Sequence, residues 1–430
     1  MRLTAHRPVA VLVVSVCALL TAAPASAATA VARQQATPAL AQSPPSNSCA
    51  YRSVPAPPVD TSEQPPPGKS APAPLPVPER PVGGPRLSEC GDVLPDKAAA
   101  LPKQIAAASW IVADLDTGAV LAAHDPHGRH RPASTIKVLT ALTALQELSP
   151  ETTITATKED TGRECTCVPL VTGGKYTVRQ LVRAMLMKSG NDAAYALART
   201  TGGQGGVEEG LKKMNSLARS LGALDTRAAT PNGLDGPGMS TSAYDLALIY
   251  RAAMRNPDFA EAVKTRQMVI PGQNGKPDVD VFNDNKLLAN YAGALGGKTG
   301  FTDDAKHTYV GAASKNGRRL VTVVLFTPKQ PVEAWQQGAR LLDYGFAMKP
   351  DVKPVGQLVE RAPGENGVQT TGQAKPDGAA GDGLDPSAAP TAFGNVGGPL
   401  TVVAGVLGLM GLLLYLRKKK AKRARAMAAR

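Results

Sequence analysis

The chain has 430 residues, with 42 Gly, 37 Pro and a formal net charge of +13. Its length allows two average domains, but residues 28–100 and 349–397 are rich in Pro, Gly, Ala, Ser and Gln, which leaves about 102–347 for one large core. The charge gives no support to a nucleic-acid partner: two basic residues fall in the first 27 and eight in residues 417–430, with no acid in either stretch, so about +3 remains for the rest.

Residues 1–27 read as a secretory signal, with Arg2 and Arg7, an apolar run from Val9 to Leu20, and Ala25-Ser26-Ala27 at the cut. Residues 28–101 then form an exported arm. Its repeated prolines over 50–88 predict a polyproline-like or disordered chain, which the cysteines at its ends can tie down. Cys17 leaves with the signal. Cys49, Cys90, Cys165 and Cys167 remain, an even number in an exported chain, so disulfides are expected. Of the three possible pairings, one joining Cys165 to Cys167 is strained by their spacing. The favoured reading pairs Cys49 and Cys90 each with one of them. No Cys-x-x-Cys spacing supports a zinc site.

Ser109 to Asp114 and Ala119 to His124 flank Leu115-Asp116-Thr117-Gly118, which predicts a β-hairpin. His124, His127 and His130 follow at every third position. A solvated loop is favoured there over a metal site.

Residues 132–145 form the central pattern. Ile136, Leu139, Leu142, Thr143 and Leu145 recur at helical spacing after Pro132. Ser134 sits at the helix start, where unpartnered N–H groups favour negative charge. Lys137 lies one turn on, over the same face. A neutral lysine there can act as base for the serine. Alone, Ser-x-x-Lys is a common pairing of an N-cap with a surface lysine; two later stretches change its weight.

A turn-rich segment carries Cys165 and Cys167. Helical patterns follow over Thr177–Lys188, Asp192 to about Thr200, Val207–Leu221 and Ser240–Met254, the last capped by Ser240 or Thr241. Ser189-Gly190-Asn191 lies at the junction of the first two. Strand-like runs cover about Gly297–Phe301, Thr308–Ser314 and Leu320–Thr327, with Asn316-Gly317 as a hairpin turn between the last two. Pro331 to Tyr344 closes the domain as a helix. Two strands thus open the domain and three close it, with helices between. That order predicts an α+β fold: an antiparallel sheet whose first and last elements meet, with a helical lobe.

Residues 348–397 read as a flexible linker. Leu400 to Leu416 is apolar except for Thr401 and Tyr415, and a membrane helix is expected over 398–416. Arg417, Lys418, Lys419 and Lys420 open a basic tail (417–430), which places the C-terminus in the cytoplasm and the rest outside.

Ser134-x-x-Lys137, Ser189-Gly190-Asn191 and Lys298-Thr299-Gly300 occur in this order. With Met187-Lys188-Ser189-Gly190-Asn191-Asp192, Gly297-Lys298-Thr299-Gly300-Phe301-Thr302 and Pro231-Asn232-Gly233-Leu234-Asp235, the chain resembles the serine D-alanyl-D-alanine carboxypeptidases, the low-molecular-mass penicillin-binding proteins, over about 102–347. The resemblance implies a five-stranded antiparallel sheet of the serine β-lactamase type flanked by helices. It implies Ser134 as nucleophile, Lys137 as its base, and Ser189 and Asn191 as proton relay and holder of Lys137 or substrate. Lys298, Thr299 and Gly300 would bind the substrate. The N–H groups of Ser134 and Phe301 would form the oxyanion hole. It implies peptidoglycan stem peptides as substrate, β-lactams as inhibitors, and no metal or cofactor. The family often carries a carboxylate-binding arginine after the last strand; here Lys329 is near. A β-lactamase would need a glutamate loop before Lys298 that is not found. Endopeptidase activity on cross-links shares the bond chemistry, and an inactive wall-binding protein would not need the intact motifs.

Overall fold

Strand formation starts where side chains dictate a turn. After a two-residue strand β1 (Asp92–Val93), β2 (Ser109–Asp114) and β3 (Ala119–His124) form the expected hairpin. Asp114 Oδ1 accepts from the Asp116 and Thr117 N–H groups, and Gly118 takes φ +77° to close the turn. The computed structural model describes residues 49–164 and 166–363. The expected signal, membrane helix and basic tail lie outside the described residues. Among those described, no helix is long and apolar enough to cross a membrane.

The middle of the chain is helical. A short turn over 133–136 leads into α1 (Lys137–Glu147), whose residues from Lys137 to Leu145 are all buried, as in a central core helix. Strands β4 (Thr153–Thr155) and β5 (Lys175–Thr177) pair around α2 (Lys158–Thr161). Then come α3 (Val178–Lys188), opened by a Thr177–Gln180 capping box, α4 (Asn191–Thr201) and α5 (Gly206–Leu221). In α6 (Ala243–Ala253) the cap is Ser242 rather than Ser240 or Thr241, because the Ser242 side chain accepts from the Asp245 N–H. Helix α7 (Pro257–Lys264), the pair β6 (Gln267–Ile270) and β7 (Val279–Phe282), and α8 (Leu287–Asn290) complete this lobe.

Strands β8 (Ala294–Thr302), β9 (Lys306–Lys315) and β10 (Arg318–Thr327) close the sheet, followed by α9 (Ala334–Ala347) and β11 (Gly356–Gln357). Asn316 and Gly317 both take positive φ in the β9–β10 turn, the geometry that matches strand twist. The five long strands run antiparallel in the order β3–β2–β10–β9–β8, so the first hairpin meets the last strands as expected. The sheet has seven strands rather than five, because β1 and β11 both add to the outer edge of β3. Alternation sorts the core. Trp110, Val112, Leu320 and Val324 face one cluster with Leu341 and Leu342 of α9, while Ile111, Ala113, Val321 and Val323 face the helical lobe.

The structure also corrects the expectations for the arm, the cysteines and the histidines. First, the arm is ordered against the domain. Proline carbonyls have no ladder partner, and the buried Arg129 guanidinium supplies donors: Nη1 donates to Ser53 O and Leu75 O, and Nη2 to Pro76 O. Second, Cys49 bonds to Cys90, with Cα atoms 5.1 Å apart, and neither pairs with Cys165 or Cys167. Both ends of the arm dock on one short segment: Arg129 N–H donates to Tyr51 O, and Asp125 Oδ1 accepts from Gly91 N–H. Closing this loop of 41 residues is worth about 4 kcal/mol in chain entropy. Cys167 is disulfide-bonded as well, and Cys165 lies outside the described residues. Third, the histidine segment is not a solvated loop. His127 is buried between the Asp225 carboxylate (2.7 Å) and Val82 O (3.0 Å). His130 packs on Tyr51 and Phe326, and burial, with Arg131 beside it, lowers its pKa to about 4.

Residues 348–363, read as the start of a linker, also pack on the domain. Val355 and Leu358 are buried, and the Arg251 guanidinium pairs with Glu360. Each apolar side chain contributes about 1.5–3 kcal/mol. Truncation after residue 348 is therefore expected to lower the melting midpoint by about 10 °C. Truncation after 363 should leave it within about 2 °C. Thermal unfolding followed by circular dichroism checks the pair; equal midpoints would mean that this segment adds nothing.

Candidate active site

The residue before Ser134 is strained. Ala133 adopts φ +47°, which a side chain with a Cβ rarely tolerates. Its neighbours leave it no alternative. Thr135 Oγ1 and Thr308 Oγ1 both donate to Pro132 O, at 2.6 and 2.8 Å. Two glycines press on the same peptide. A Cβ on Gly300 would lie 2.9 Å from Ser134 N, and one on Gly233 would lie 1.9 Å from Ala133 O. The edge of β8 thus passes against the Ser134 N–H only because residue 300 has no side chain.

Lys137 has no exposed surface, and its Nζ sits at the centre of the cluster. It lies 2.7 Å from Ser134 Oγ, 2.8 Å from Asn191 Oδ1, 2.7 Å from Asn232 O and 3.4 Å from Ser189 Oγ. Burial and then the nearby Lys298 cation hold the Lys137 amine well below its usual range, against the pull of Asp192. The Asn191 amide is oriented by its own nitrogen, which donates to Glu164 O at 2.7 Å. Ser189 ends α3 with φ +63°, the left-handed cap that turns the chain into α4. Asp192 is buried and accepts from the Val168 and Leu170 N–H groups. That ties the segment carrying Cys167 to the start of α4.

Lys298 and Thr299 lie on β8, paired with Val310 and Tyr309 of β9. Lys298 is buried, and its Nζ donates to Thr299 O at 2.6 Å. Burial lowers its pKa to about 8, although Asp284 opposes the shift. Phe301 is exposed and its ring lies 4.7 Å from that of His307. Lys329 is within electrostatic reach of His307. The structure therefore brings Ser134, Lys137, Ser189 and Asn191 into one hydrogen-bonded group, with the Gly300 edge against it and the Lys298 charge felt at Lys137.

Two members stand in motifs of the sequence without a role being legible there. Asn232 contributes through its carbonyl, which every residue type has, so no side-chain signal marks it. Gly233, next to it, was the readable sign of a special backbone. Asp192 acts on a loop 22 to 24 residues away, and nothing local announces that contact. A hydroxyl hydrogen-bonded to an amine whose pKa is lowered, with a second cation nearby, can form and break an acyl bond.

The family model for D-alanyl-D-alanine carboxypeptidase matches residues 96–328. The chain is 48% identical over 256 residues to D-alanyl-D-alanine carboxypeptidase DacB2 of Mycobacterium tuberculosis, covering 59% of this chain and 86% of the relative. A D-alanyl-D-alanine carboxypeptidase of Streptomyces sp. K15 is 31% identical over 258 residues, covering 57% of this chain and 88% of that one. Among solved structures, a D-alanyl-D-alanine carboxypeptidase from Mycobacterium tuberculosis superposes with a TM-score of 0.58 at 45% identity, over 61% of this chain and 99% of that one. The Streptomyces K15 DD-transpeptidase gives 0.55 at 30% identity, over 58% and 100%. With the matched region, the sheet and the serine–lysine cluster in agreement, the chain belongs to the D-alanyl-D-alanine carboxypeptidase family of penicillin-binding DD-peptidases.

Proposed function

We propose that this hydrolase removes the terminal D-alanine from peptidoglycan stem peptides through an acyl-enzyme on Ser134, and that penicillin acylates the same oxygen. The hydrogen bonding of Lys137 carries the reading. A neutral amine has two hydrogens and one lone pair. Asn191 Oδ1 and Asn232 O can only accept, so they take both hydrogens. The lone pair is left for the Ser134 hydroxyl at 2.7 Å. Lys137 then removes the Ser134 proton as Oγ attacks the carbonyl between the two D-alanines. The oxyanion is received by the N–H groups of Ser134 and Phe301. Ser189, 3.4 Å from Nζ, passes the proton to the leaving amine. Water then releases the shortened peptide. Lys298 and Thr299 hold the terminal carboxylate, and Gly300 admits the peptide along the β8 edge. Mass spectrometry after penicillin treatment tests this reading: an adduct on Ser134 supports it, and an adduct elsewhere or none overturns it.

An amine in place of water would give transfer, as the name of the Streptomyces K15 DD-transpeptidase says of that protein. Product analysis with and without an added amino-acid acceptor separates the two outcomes. Export by residues 1–27 and anchoring by 398–416 complete the proposal, with the catalytic part outside the cell. Resistance of the full chain to carbonate extraction from membranes would support the anchor, and full release into the soluble fraction would remove it.

Lys298 yields a further prediction. Its charge is complete well below pH 8 and is lost as the pH rises through about 8. Acylation by substrates bearing a carboxylate should fall along that alkaline limb. Lys298→Ala should lower acylation by about a hundredfold or more, and Lys298→Arg should lower it less and carry the activity to higher pH. Removing the like charge should also raise the Lys137 pKa, so the acid limb of Lys298→Ala moves upward in pH. Equal acylation by the two variants would discard the electrostatic role.

A further inference from the structure

The segment Ala56–Glu63 of the Pro-rich arm touches both sides of the nucleophile. Arg131, three residues before Ser134, is buried. Its Nε and Nη2 donate to the two oxygens of Glu63, and its Nη1 donates to Ala56 O at 2.8 Å. Asp304, three residues after Phe301, is also buried. It accepts from the Val59 N–H and from Ser62 Oγ. A third segment joins them. Asp235 lies three residues after Asn232, whose carbonyl takes Lys137 Nζ. It lies beside the Thr302 side chain, and one oxygen each of Glu63, Asp235 and Asp304 lie within 4.8 Å of one another. The charged groups meeting here are three carboxylates and the Arg131 guanidinium.

We propose that Ala56–Glu63 is a positioning element of the active site, which holds the segments of Ser134, Asn232 and Phe301 in register through Arg131, Asp235 and Asp304. Ala133 is the physical link. Its left-handed backbone persists only while the flanking chain is over-determined, and Arg131 anchors that chain before the nucleophile together with the His130–Thr241 backbone pair and the hydroxyls on Pro132 O. Removing the Glu63 charge leaves the buried Arg131 guanidinium with carbonyl hydrogen-bond partners only and with Asp235 and Asp304 as its remaining nearby charges, so residues 131–134 relax. A displacement of this kind costs rate rather than binding, because it moves the nucleophile and an oxyanion donor together. The family match begins at residue 96, so the arm segment lies before the matched region. The chemistry of the site supports the link. Burial, with Asp304 as a further contributor, raises the Asp235 pKa to about 6, so the cluster changes charge near that pH.

The inference rests on the proposed carboxypeptidase reaction. The full chain in detergent is assayed for D-alanine release and penicillin acylation across pH 5 to 9, as wild type, Glu63→Gln, Glu63→Asp and Glu79→Gln. Glu79 is an exposed arm carboxylate that serves as control. Glu63→Gln should lower kcat about tenfold or more with KM within about twofold, and should shift the acid limb downward as Asp235 loses a like-charged neighbour. Glu63→Asp should recover most of the loss, and Glu79→Gln should match wild type. Unchanged kcat and pH profile in Glu63→Gln would make the arm a structural staple only. A rise in KM alone would make it a substrate contact. Either result overturns the proposal. If Glu63→Gln does not fold, Glu63→Asp decides: a partial kcat loss with a wild-type melting midpoint supports the proposal, and wild-type kcat overturns it. A wild type that releases no D-alanine would instead sink the proposed reaction.

Discussion

Ser134→Ala is expected to lower D-alanine release by at least about 10⁴-fold and to abolish penicillin labelling, with a melting midpoint within about 2 °C of wild type. The activity loss follows from the chemistry, since no other hydroxyl lies within 3 Å of Lys137 Nζ among the described residues. The intact fold follows from the hydrogen bonding. Ser134 Oγ has only Lys137 at 2.7 Å and a long contact to Asn232 O at 3.4 Å. Removing it leaves the amine with Asn191 and Asn232 as acceptors, so no buried charge is stranded. Measuring labelling and thermal unfolding on the same preparation makes the test clean. Retained release by a variant that folds would refute Ser134 as nucleophile.

Gly233→Ala should be nearly as damaging by a different route. Gly233 takes φ +87°, and an added Cβ would lie 1.9 Å from Ala133 O and 2.8 Å from Ser134 N. These are backbone atoms that cannot swing aside. The unfavourable φ and the clash together should cost more than about 3 kcal/mol, which corresponds to a drop of about 5–10 °C in the midpoint. Relief requires moving the Ala133–Ser134 peptide, which carries the nucleophile and one oxyanion donor. Acylation should fall about a hundredfold even where the variant remains folded. Wild-type acylation by this variant would show that the peptide tolerates displacement. Gly300→Ala presses on the same peptide from the other side, 2.9 Å from Ser134 N, and offers an independent check.

The sequence by itself determined the parts built from neighbours along the chain. Asp114, Thr117 and Gly118 specify the β2–β3 turn; Asn316-Gly317 specifies the β9–β10 turn; Thr177 and Gln180 cap α3. Each is a contact within four residues, so residue type and spacing are enough. The same holds for Ser134 and Lys137, which the helical repeat places together. Ser189, Asn191 and Lys298 were legible because they stand in motifs at element ends, although their meeting with Ser134 was read from resemblance rather than from spacing.

Only the tertiary structure decided what depends on distant partners. The repeated prolines of the arm read as a polyproline-like or disordered chain. It is held by donors from Arg129 and Arg131, more than fifty residues away, that no local pattern reveals. The Cys49–Cys90 bond follows from both arm ends docking on Asp125–Arg129, not from the spacing of the cysteines. Strands β1 and β11 are two residues each, too short to show a period, and exist because β3 presents an open edge. The lowered pKa of Lys137 arises from burial and from Lys298, more than 160 positions later. A lysine in a sequence is ordinarily a solvated cation, and only its enclosure by the rest of the fold makes it a base.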